Sequence, residues 1–255
     1  MQELWQTGAP VLALTFAVTL AAGFVKGAVG FGLPMIMVAG LAAFLPPEKV
    51  LAAVILPTLV TNLWLALQRG LGETMRIAWG FRFYIAVMLA FLVLSAGLVR
   101  RIRPDLVQLI VGVPIIFFAL IQLLGVRFSL SERTRLPLEA TVAALAGFVG
   151  GMSGIWGPPL VAYLTARDTP KREQMRLQGV VYALGSVTLF LAHLRSGVLS
   201  RATLPLSVLA LVPAMAGMWL GARWHDRLPQ ASFRRLTLVI LLLAGMNLVR
   251  RALTG

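Results

Sequence analysis

Residues 23–34 read GFVKGAVGFGLP, and residues 147–158 read GFVGGMSGIWGP. The offset is 124, and six of the twelve positions are identical: Gly23/Gly147, Phe24/Phe148, Val25/Val149, Gly27/Gly151, Gly30/Gly154 and Pro34/Pro158. At the same offset Pro46 meets Pro170. Each string lies inside an apolar run, 9–45 and 138–165, that is too long for one simple span, since a transmembrane helix needs about 20 apolar residues. Gly23, Gly27, Gly30 and Gly32 in the first cluster, and Gly150, Gly151, Gly154 and Gly157 in the second, let the chain turn and let other backbones approach. Pro34 and Pro158 follow the clusters. Proline suits the opening of a helix, where its missing N–H costs nothing, so each cluster is followed by a helix start.

Around these strings the chain is 255 residues long, 59% hydrophobic and only 13% charged, with a mean hydropathy of +0.87. A soluble domain is roughly 45–50% apolar and about 25% charged. An ordinary soluble fold and disorder are both excluded. Cysteine is absent, which removes disulfide scaffolds and thiolate chemistry. The net charge of +14 comes from 20 Arg and 3 Lys, mostly in short loops between apolar runs. That is the distribution of membrane topology signals, with anionic lipid headgroups as partners, and it excludes nucleic acid. The N-terminus carries Glu3 and no basic residue, so the first apolar run reads as part of the mature protein.

Further apolar runs fall at about 50–68, 77–99, 106–125, 177–194, 204–222 and 236–249. The expectation is an all-α, polytopic membrane protein of two repeats, 1–128 and 129–255, forming one integrated membrane domain. Each repeat has a glycine-broken, re-entrant or discontinuous helix followed by three transmembrane helices. If each broken segment turns back, the loops divide their Lys and Arg 14 against 8; if each crosses once, the division is 12 against 10. The sharper asymmetry makes the repeats inverted, with both termini outside.

An unwound backbone inside a membrane survives only where it is buried in protein or lines a polar cavity. A helix N-terminus there offers partial positive charge and free N–H donors, which suit an anion. Gly-xxx-Gly spacing equally serves close helix packing, and Gly23/Gly27 and Gly147/Gly151 fit that reading. Lys26, in the first cluster, is a cation inside an apolar run, where it either neutralises an anion or reaches for an interface. The nine acidic residues, Glu139 among them, all read as lying in loops or at segment ends. That argues against a carboxylate proton relay. Thr58, Thr61 and Asn62 share one helical face, as do Gln178, Tyr182 and Ser186. Either stripe can coordinate oxyanion oxygens or hydrogen-bond between helices. The candidate binding residues are therefore Lys26, Gly27, Gly30, Gly32, Thr58 and Asn62, with Gly151, Ser153, Gly154, Gly157, Gln178, Tyr182 and Ser186. His193 ends its run as a polar cap or a titrating group. Trp5, Trp79 and Trp224 read as interfacial, and Trp156 as a filler or gate within the second cluster. With His193 and His225 the only histidines, no metal site is expected, no cofactor either, and no enzymatic motif is present.

The duplicated strings GFVKGAVGFGLP and GFVGGMSGIWGPP, the eight apolar segments and the loop TPKREQMR resemble the sulfite exporter TauE/SafE family over essentially the whole chain. The family's first motif often continues with glycine where this chain has Leu33-Pro34. The resemblance implies a secondary transporter in the bacterial inner membrane that exports small sulfur-containing anions such as sulfite, thiosulfate or sulfonates. Carried over by position, the family's motif residues are Gly23, Gly27, Gly30, Gly32 and Pro34, then Gly147, Gly151, Gly154, Gly157 and Pro158. On this reading the anion sits at the membrane midplane between the glycine turns, and access alternates by rocking or sliding. The expected partners are the anion, membrane lipid and, as an assembly, a second copy in a homodimer. Two other classes fit the same residues: an anion channel, and a non-transporting membrane assembly partner.

Overall fold

The computed structural model describes residues 9–254 except 42, 46, 69, 99–103, 126–131, 154–155 and 197–202. Among the described residues the secondary structure is entirely helical. The helices are α1 (Ala9–Val29), α2 (Leu33–Leu41), α3 (Pro47–Leu67), α4 (Leu71–Gly80), α5 (Arg82–Leu98), α6 (Pro104–Leu123), α7 (Glu132–Ser153), α8 (Gly157–Ala166), α9 (Lys171–Ser196), α10 (Leu204–Arg227) and α11 (Gln230–Thr254). By length and apolarity alone, Pro10–Val29, Leu204–Arg227 and Gln230–Thr254 can each cross a membrane. Outward apolar side chains such as Phe16, Val93, Leu94, Phe117, Val212 and Leu243 are at least half exposed. Such faces call for lipid rather than water.

The helices group into two compact units, and each draws on both halves of the chain. The first comprises residues 1–68 and 183–228. In it α1 lies along α10, α3 also packs on α10, and α2 rests against α1 and α3. The α1–α10 contact follows from four glycines. A Cβ added at Gly23 would stand 2.2 Å from the Ala214 carbonyl oxygen, and one at Gly27 would stand 2.1 Å from that of Met218. From the other side, Gly217 and Gly221 meet the carbonyls of Leu20 and Phe24 at 2.0 Å each. The backbones therefore touch, the close approach that small residues allow in lipid. Leu33, Met37, Leu41, Ala53, Val54, Ala210 and Ala214 fill the core beside this seam.

The second unit comprises residues 69–182 and 229–255. Here α5 packs on α7, α6 on α11, and α8 touches α6, α7 and α11. Gly147 repeats the logic of Gly23, since its Cβ would meet the Met88 carbonyl oxygen at 2.1 Å. Helix α4 begins in the gap between the apolar runs 50–68 and 77–99, a stretch flanked by Arg69 and Arg82 and carrying Arg76. Its exposed Leu71, Met75 and Trp79 lie at i, i+4 and i+8, with Arg82 over the Trp79 ring. Such an apolar stripe suits a helix lying at a membrane surface. Three basic residues in a short stretch had masked it.

At each glycine cluster a long helix is followed by a short one, 21 then 9 residues and 22 then 10. The first break is carried by Gly30 and Gly32, whose φ values of 89° and 95° lie in the left-handed region. Pro34 and Pro158 stand second in α2 and α8.

Candidate functional site

Lys26 lies in the last turn of α1 and is 1% exposed. Its ammonium donates to Asn62 Oδ1 on α3. Asn62 is 2% exposed, and Thr58, one turn earlier on the same face, is also buried. The Thr58 hydroxyl has no hydrogen-bond partner among the described residues. Thr61 is accounted for by its own helix, donating to the Pro57 and Thr58 carbonyls.

The local sequence explains why α3 is polar here. Pro57 lies inside the helix and lacks an N–H. The preceding Leu56 N–H is within reach of Ser207 Oγ on α10, at 3.2 Å. The stripe Thr58–Asn62 therefore starts where the backbone ladder is already interrupted. No acidic side chain pairs with Lys26 among the described residues, and a neutral amide oxygen offsets only part of the cost of burying an ammonium.

Two further features sit near this cation. Gly30 N–H donates to the Lys26 carbonyl at 2.7 Å, closing α1 before α2 begins. His225 on α10, 6% exposed, places Nδ1 3.0 Å from the Ala28 carbonyl oxygen. A carbonyl only accepts, so Nδ1 carries the proton. The sequence reading gave His225 no role, because the apolar run ends at 222 while the helix continues to Arg227. Trp224 stacks on Phe24, with ring centroids 5.6 Å apart.

The second cluster is described in part. Gly151 and Ser153 close α7, their side-chain surroundings are outside the described residues, and Gly154 is outside them altogether. Gly157 opens α8, and its carbonyl accepts the Tyr182 hydroxyl of α9 at 3.0 Å. Gln178 is fully buried on the same helix. Ser186 donates to the Ala183 carbonyl of its own helix at 3.0 Å. Trp156 is buried against Gly150, where a Cβ would come within 2.9 Å of the Trp156 Cβ, so the glycine makes room for the indole. His193 lies in α9, with its side chain outside the described residues.

A Cβ added at Gly27 would meet the Met218 backbone, the close packing that the Gly-xxx-Gly reading describes. Tyr182→Phe is expected to destabilise the protein by about 1 kcal/mol, the usual value of one buried hydrogen bond. Thermal unfolding in detergent measures it, and an unchanged midpoint would mean that the Gly157 contact holds nothing in place.

One expectation is refined. Glu139 stands near the start of the apolar stretch Leu136–Gly150, as a segment-end residue would, but it is buried there, two turns into α7 and 7% exposed. The Tyr163 hydroxyl donates to its Oε2 at 3.1 Å. The polar start of α7, ERTRLPLE, lowered the local hydropathy and hid this burial.

A separate open cavity of about 920 Å³ in the second unit is lined by Gln122, Asp168, Gln230, Arg234 and Arg235. Its Arg234 is already paired with Asp168 and donates to Gln122 Oε1 at 2.6 Å. It contains none of the predicted binding residues.

Long apolar helices, outward apolar faces and polar side chains buried among them define a multi-pass α-helical membrane protein. The chain belongs to the sulfite exporter TauE/SafE family, whose sequence model matches residues 15–248. This is a family of membrane transporters. Among curated proteins and among solved structures, nothing matches the chain.

Proposed function

We propose that the protein is a secondary transporter that exports a small sulfur-containing anion, such as sulfite, thiosulfate or a sulfonate, across the bacterial inner membrane. The observation that carries this reading is Lys26, a buried cation whose partner is the neutral Asn62 amide, one helical turn from the Thr58 hydroxyl, which has no partner among the described residues. Two to three oxyanion oxygens are what such a set lacks. The ammonium supplies charge, the Thr58 hydroxyl and Asn62 amide supply hydrogen bonds, and the break at Gly30–Gly32 offers the first N–H groups of α2. In the second half, Gly151, Ser153, Gly154 and Gly157 with Gln178, Tyr182 and Ser186 are the proposed counterparts.

Two inverted repeats, 1–128 and 129–255, belong to the same proposal. In its support, the starts of α1, α2, α3, α5 and α6 recur 124 residues later, within two residues, as those of α7, α8, α9, α10 and α11. The packing recurs as well. α1 lies on α10, and their counterparts α7 and α5 lie on each other, with Gly23 and Gly147 each meeting a carbonyl.

The test is flux from proteoliposomes loaded with sulfite, thiosulfate, sulfoacetate, sulfate or acetate. Saturable flux restricted to sulfur oxyanions or sulfonates is expected. Current that rises with voltage and does not saturate would make the protein a channel. No flux from folded protein would remove the transport reading.

A further inference from the structure

We propose that Glu139 is the proton-binding group that couples anion movement to a pH gradient, acting through helix α8. The inference rests on the transport reading above and adds the driving ion.

Glu139 is the polar member of an otherwise small and apolar stripe. Ala143, Ala146, Gly147 and Gly150 continue its face of α7, all buried, and Gly147 brings α5 against this face. A carboxylate at the head of such a stripe adds nothing to packing and is costly to bury ionised. Inside a membrane protein a buried ionisable group is by default a functional one.

Its surroundings are those of a proton site. The groups facing it are Tyr84 from α5 and, from α8, Tyr163 with Arg167 behind it. Tyr163 donates to the carboxylate at 3.1 Å, and the Arg167 guanidinium reaches the Tyr163 oxygen at 3.4 Å and lies over its ring at 5.5 Å. The Tyr84 hydroxyl is buried with no partner among the described residues. Phenols exchange hydrogen bonds with a carboxyl in either protonation state. A metal cation needs several oxygen ligands, and no cluster of three or more acidic, histidine or cysteine side chains lies among the described residues, while the Arg167 cation stands close by.

Helix α8 supplies the coupling. It has 10 residues, about 15 Å at the usual helical rise. Its first residue, Gly157, is held by Tyr182 and belongs to the proposed anion site. Towards its far end Tyr163 donates to the Glu139 carboxylate, and Arg167, just past the helix, reaches the Tyr163 oxygen. A proton taken up by Glu139 removes that negative charge and turns a charge-assisted hydrogen bond to Tyr163 into a weaker neutral one. A proton released restores it. One short rigid element therefore answers to the proton at one end and to the anion at the other.

The experiment uses the full chain in liposomes with thiosulfate, an anion that keeps its charge across neutral pH. Wild type and Glu139→Gln are compared in thiosulfate exchange at equal pH and in accumulation driven by a pH gradient. In parallel, infrared difference spectra of the protein in lipid are recorded between alkaline and acid buffer. The expected result is wild-type exchange by Glu139→Gln, loss of at least tenfold in gradient-driven accumulation, and disappearance of one carboxyl band. Gradient-driven accumulation that survives in Glu139→Gln, or that follows a sodium gradient instead, overturns the proposal. So does a wild-type spectrum with no band assignable to Glu139. Wild-type protein that keeps this band but exchanges no thiosulfate strikes the transport reading, leaving the proton site at Glu139 standing.

Discussion

Replacing Lys26 with methionine is expected to cut anion flux about ten- to a hundredfold while the folded protein persists. A hydrogen bond to a charged group contributes about 1.5–3 kcal/mol, and each 1.4 kcal/mol is about a factor of ten in affinity. Methionine nearly matches the shape of the lysine stem and carries no charge. Stability has two opposing terms. Removing the ammonium abolishes its desolvation cost, and losing it leaves Asn62 Oδ1 without that donor. These are of similar size, so the melting temperature in detergent should move little. Lys26→Arg should also fail, because a planar guanidinium does not fit where a slender ammonium is 1% exposed. Flux through Lys26→Met at the wild-type rate and with the wild-type KM would show that the lysine does not touch the anion.

The second large effect is on stability. Gly27→Ala should cost at least the upper end of the range for overpacked sites, about 1–3 kcal/mol. The added carbon would stand 2.1 Å from the Met218 carbonyl oxygen and 2.8 Å from the Ala222 nitrogen. Backbone atoms cannot rotate away as a side chain can, so α1 and α10 must separate along their seam. Gly147→Ala should behave alike against Met88. Gly72→Ala is the control. Nothing lies within 4 Å of its added Cβ on α4, and alanine favours the helix by about 1 kcal/mol. The readout is the yield of monodisperse protein and its thermal midpoint. Normal folding of Gly27→Ala with impaired flux would favour the anion-site role of Gly27 over packing.

Part of this protein is legible in one dimension because its physics is local. The bilayer sets how long an apolar run must be, so composition and run length give a multi-pass helical membrane protein. Glycine and proline restrict or free their own backbone, so the breaks near 30 and 156 and the helices beginning beside Pro34 and Pro158 follow from residue type. A lysine in an apolar run stands out without any neighbour being known, and the duplicated string carries the family.

Other features depend on which helix lies beside which. Asn62 meets Lys26 across 36 positions, and His225 meets Ala28 across 197. Neither spacing has a periodicity to betray it. Gly23 and Gly27 pack while Gly30 and Gly32 bend, a division set by the path of α10 and invisible in a row of glycines. The burial of Glu139 was missed for the same reason. Hydropathy averages over neighbours in sequence, whereas burial is decided by neighbours in space. The chain by itself determined its solvent, its breaks and its buried cation. Only the packing of helices distant in sequence decided which polar groups those breaks and that cation would face.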